Sequence, residues 1–95
     1  MPKAYIFIYS QRFGDREFVK GVVNRIPEIT NWRYDLPNTF YLVSELSADE
    51  LAKRVTEVAG KKARHLITEL SENSQGLLPR KTWHLLNEKE HLRED

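Results

Sequence analysis

The chain of 95 residues contains no cysteine, so it can form neither a disulfide framework nor a thiolate metal site. That fits a reducing compartment. It also lacks a long apolar run: no segment approaches the roughly 18 residues that a membrane-spanning helix requires. Met1-Pro2-Lys3 leads straight into a strand-like stretch with no signal-peptide core. A cytoplasmic protein without a membrane partner is expected. Glycine is scarce, and Gly14, Gly21, Gly60 and Gly76 stand apart, so no phosphate-cradling loop is encoded. Neither sign of charge dominates. Fifteen Lys and Arg against 14 Asp and Glu leave a net charge of +1, so only a local basic patch could attract a polyanion. His65, His84 and His91 lack metal-ligand spacing, and neither H-E-x-x-H nor C-x-x-C occurs. No metal and no small-molecule cofactor is expected.

What the chain does contain is an ordered alternation of strand and helix signals. Tyr5-Ile6-Phe7-Ile8-Tyr9 is apolar on both faces, as a strand covered on both sides would be. Asp15 suits a helix N-cap, and Phe18, Val19, Val22, Val23 and Ile26 form one helical stripe that Pro27 ends. Trp32 to Asp35 and Thr39 to Ser44 flank Leu36-Pro37-Asn38 and predict a hairpin. Ser47-Ala48-Asp49-Glu50 is a capping box, Leu51, Val55 and Val58 follow at helical spacing, and Gly60 closes that helix. His65 to Leu70 supplies a last strand. This order predicts an α+β fold, a ferredoxin-like βαββαβ two-layer sandwich over residues 1–70. Residues 71–88 form a C-terminal extension with a short helix after Pro79, packing on its own sheet or a partner's. Residues 89–95, mostly charged, form a frayed tail.

The first strand has two rows of side chains, Ile6 and Ile8 on one and Tyr5, Phe7 and Tyr9 on the other. Branched aliphatics suit the helix side, which turns the three aromatics outward. Three outward aromatics would make an interface, for a second copy, for the chain's own C-terminal segment folding over that face, or for bases stacking on the sheet. A two-fold homodimer is expected, with Tyr5, Phe7, Tyr9, Leu77, Leu78, Trp83 and Leu86 at the seam. Arg12, Lys61, Lys62 and Arg64 are the candidate nucleic-acid contacts, with Arg80 and Lys81 as further basic positions.

With these pieces in place, the chain resembles CRISPR-associated protein two and related small SinR-like proteins over about residues 4–86. The resemblance is carried by Ala4 to Ser10, Trp32-Arg33-Tyr34, Thr39 to Ser47 and His65-Leu66-Ile67, with Gly76 to Pro79 and Trp83 matching the SinR-like extension. It implies a ferredoxin-like protomer in a homodimer whose C-terminal segment pairs with the neighbour, and a role in binding duplex nucleic acid. Some members of that family are Mg²⁺-dependent nucleases with an acidic residue at the end of the first strand. Here Tyr9-Ser10-Gln11 occupies that place, and the nearest carboxylate, Asp15, is the catalytic candidate under the nuclease alternative. Ser and Gln would hold Mg²⁺ poorly, so a non-catalytic binding or structural module is the expectation. A monomeric protein-interaction domain is a third alternative.

Overall fold

Seven elements follow one another along the computed structural model, which describes residues 1–93. They are β1 (Lys3–Tyr9), α1 (Arg16–Asn24), β2 (Ile29–Arg33), β3 (Thr39–Ser44), α2 (Ala48–Ala59), β4 (His65–Glu69) and α3 (Arg80–Glu88). Local chemistry sets most of the boundaries. Asp15 caps α1 by accepting the Phe18 amide at 2.8 Å. At α2, Ser47 Oγ accepts from the Glu50 amide and Glu50 Oε1 from the Ser47 amide, the reciprocal pair expected of a capping box. Gly60 ends α2 at φ 73°, where a side chain would be strained. Gly14 is needed for space as well as conformation: its φ is 144°, and a Cβ there would lie 2.4 Å from the Phe18 ring. Residues 94 and 95 of the expected tail lie outside the described residues.

The four strands form one antiparallel sheet in the order β2-β3-β1-β4, so β1 and β3 are central. The fold is α+β, with α1 packed against β2 and α2, and α2 against β4. The hairpin is longer at its start than the sequence predicts. β2 begins at Ile29, carries an irregularity between Ile29 and Asn31, and ends at Arg33.

The outward placing of Tyr5, Phe7 and Tyr9 needs correction. All three are buried in the core between the sheet and helices α1 and α2, with Phe7 completely inaccessible. Ile6 and Ile8 are the row that faces away. The reason lies in the helices, whose buried residues are small: Val19, Val22, Val23 and Val55, with Leu51 the largest. Filling the space between layers to normal density therefore falls to the sheet, which supplies Phe7 opposite Phe40 and Tyr5 opposite Leu42. The rings pack edge to face, with Phe7 and Phe13 centroids 5.5 Å apart at 81°. Tyr5 keeps its hydroxyl satisfied by donating to the Leu46 carbonyl at 2.6 Å. Phe18, predicted within the buried stripe of α1, is substantially exposed instead.

The opposite face of the sheet is partly covered by the chain's own α3. Leu85 and Leu86 are buried against Ala4, Tyr41 and Val43, with Ile6, Leu70, Leu78 and Trp83 at the margin. Leu86, expected at a seam between copies, is thus buried within its own protomer. A polar cluster fixes this helix. Thr82, wholly buried, donates to Asp35 Oδ2 and accepts from Arg33 Nε at 2.7 Å, and Tyr41 donates to Asp35 Oδ1 at 2.9 Å. Burial first, then the bond to Asp35 and its charge, push the Tyr41 phenol far above its usual pKa, so it acts as a fixed donor. Asn31 Nδ2 adds a bond to the Lys89 carbonyl at 3.3 Å.

Candidate functional site

β1 and β4 run antiparallel side by side, and the outward residues at the end of β1 and the start of β4 lie beyond the cover of α3. Ile8 pairs with Leu66 across the two strands, and they are 42% and 57% exposed. One step further, the Ser10 amide donates to the Arg64 carbonyl at 3.0 Å. There the chain opens into a cavity of about 760 Å³ lined by Ser10, Arg12, Lys62, Ala63 and Arg64. The loop after β1 brings Ser10 and Arg12. The connection from α2 to β4, set by the Gly60 cap, brings Lys62, Ala63 and Arg64.

Three of the four predicted phosphate-contacting residues therefore meet at one concavity, although Arg12 lies 50 and 52 positions before Lys62 and Arg64 in sequence. The fourth, Lys61, is placed elsewhere, its Nζ 4.7 Å from the centre of the Phe18 ring. Arg80 and Lys81 open α3 and do not line the cavity. No carboxylate belongs to its wall, and among the described residues Arg12, Lys62 and Arg64 form no ion pair. Exposed charges of one sign gathered without a compensating carboxylate repel one another only weakly through water and salt, but they attract anions to the spot. The local field is positive, even though the chain as a whole is almost neutral.

A Mg²⁺ ion does not fit at this end of β1. It would need converging oxygen anions and would meet three cations. Asp15 is committed to capping α1. Among the described residues no group of three His, Asp or Glu side chains gathers anywhere in the fold.

A second feature of this face is a groove of about 350 Å³ between the sheet and the segment leading to α3. Ile6, Leu36, Tyr41, Leu70, Leu78 and Trp83 line it, and Leu77, at its rim, is 99% exposed. The seam residues predicted from sequence thus divide. Leu77, Leu78 and Trp83 border an open apolar surface, Leu86 lies largely buried against the sheet face that α3 covers while still lining the same groove, and Tyr5, Phe7 and Tyr9 are enclosed in the core. Ile8 and Leu66 join the open surface without having been predicted there.

Two groups of consequence escaped sequence reasoning. Ser10 carries no binding assignment in the sequence; it stands where the resembling family places a carboxylate. The Arg33, Asp35, Tyr41 and Thr82 cluster had one available signal: Thr82 lies three and four positions before Leu85 and Leu86, on the face that must be buried. A hydroxyl there needs a partner. Among the described residues no helix is long and apolar enough to cross a membrane. A scan against protein-family models and searches of curated proteins and of solved structures find no match to this chain.

Proposed function

We propose that the protein is a non-catalytic nucleic-acid-binding module, a ferredoxin-like βαββαβ protomer that works as a homodimer, in keeping with its resemblance to CRISPR-associated protein two. The observation that carries the binding role is the convergence of Arg12, Lys62 and Arg64 on one cavity without a carboxylate in its wall. Phosphate neutralisation by clustered Lys and Arg is the main sequence-independent source of affinity for nucleic acid. The self-association role is supported by the apolar surface beside the cavity, where Ile8, Leu66 and Leu77 remain open to solvent. A two-fold axis through that surface would set two cationic cavities on one assembly, able to grip one duplex at two places.

Anisotropy of a labelled short duplex tests the binding role. Three cations can neutralise at most three phosphates, so log K should fall against log[salt] with a slope no steeper than about −2.7. Arg12→Ala/Lys62→Ala/Arg64→Ala should lose most of the affinity and flatten that slope. Tight binding by this triple variant would remove the reading. Light scattering tests the assembly: the wild type should run as a dimer and Leu66→Asp as a monomer. A wild type that stays monomeric at high concentration would favour the protein-interaction domain instead.

A further inference from the structure

One buried polar side-chain atom is left unsatisfied among the described residues, and it belongs to the cationic cavity. Ser10 Oγ has almost no exposed surface and no hydrogen-bond partner. A buried hydroxyl without a partner loses its hydration and gains nothing in return. The Ser10 backbone, by contrast, is engaged on both sides, its amide with Arg64 and its carbonyl with Phe13. The main chain is therefore held while the hydroxyl is not, and serine has a single side-chain torsion with three staggered positions by which Oγ can turn. The wall of which Ser10 is part also carries Arg12, Lys62 and Arg64.

We infer that this cavity is a subsite for one terminal phosphate monoester of a nucleic-acid strand, with Ser10 Oγ as a donor to a phosphate oxygen and the three cations as its counter-charges. The inference rests on the nucleic-acid reading above and sharpens it. A phosphodiester within a strand carries one negative charge, whereas a monoester carries about 1.5 to 2 at neutral pH and offers three acceptor oxygens. Three cations facing one concavity match the dianion better than the diester. Cations strung along a flat strip would instead suit successive diesters. A hydroxyl donor adds direction that lysine and arginine charges alone lack.

The test uses one internally labelled duplex in three forms: 5′-phosphorylated, 3′-phosphorylated, and hydroxyl at every end. One phosphorylated form should bind the wild-type protein about tenfold more tightly than the hydroxyl form. Ser10→Ala should lose most of that preference and keep its affinity for the hydroxyl form. Equal affinity for all three forms, with the expected salt dependence, would overturn the subsite and leave the general reading standing. Binding to none of them would remove both. A Ser10→Ala variant that keeps the full preference would overturn the role of the hydroxyl.

Discussion

Phe7→Ala should cost about 3–5 kcal/mol of folding stability, whereas Ile8→Ala, its neighbour, should cost only about 1 kcal/mol. The contrast follows from the faces of β1. Phe7 is wholly inaccessible and touches the rings of Tyr9, Phe13 and His65, all with centroids within 5.8 Å. Removing it opens a cavity that the small side chains of α1 and α2 cannot close. Against a typical total of about 5–15 kcal/mol, such a loss brings a small domain near its unfolding point. Ile8 is 42% exposed, so truncation there removes much less buried area and leaves no enclosed cavity. Urea denaturation of both variants decides the matter. Comparable losses at the two positions would mean that the sheet faces its helices the other way round. A loss at Ile8 that varies with protein concentration would instead report self-association through that surface.

The second large effect is expected at Asp35. Asp35→Ala removes the acceptor for both Tyr41 and Thr82, two residues with essentially no exposed surface. The stranded hydroxyls should cost about 2–3 kcal/mol together. The loss should be concentrated in α3, because Thr82 is the point at which this cluster holds the helix. Hydrogen exchange of the α3 amides should speed up in Asp35→Ala while β1 and β3 stay protected. Tyr41→Phe, which leaves Asp35 bound to Thr82, should cost only about 1 kcal/mol. An Asp35→Ala variant with wild-type stability and slow exchange in α3 would show that apolar contact alone seats the helix.

Sequence reasoning reaches far where the determinant is local. The Asp15 cap, the Ser47 and Glu50 box and the Gly60 terminus each involve residues within a few positions of one another, and all three form as read. Strand identity and the hairpin were legible for the same reason. The orientation of β1 was not. Both of its rows are apolar, so alternation carries no information, and the preference of aliphatics for helices is weaker than the demand for volume. That demand becomes visible only once the small buried residues of α1 and α2 are known to face the same strand. The cationic cavity is an intermediate case. The right residue types were recognisable, but joining Arg12 to Lys62 and Arg64 required the β1 and β4 pairing.

By itself, then, the sequence determined the elements, their order and their ends, because hydrogen bonds to caps and turns act over three or four residues. Only the tertiary structure decided which side of the sheet became the main core, how α3 is tied down, and which cations share a cavity. Those outcomes depend on filling a common volume and on satisfying buried polar atoms from distant segments, and neither quantity can be read along a single stretch of chain.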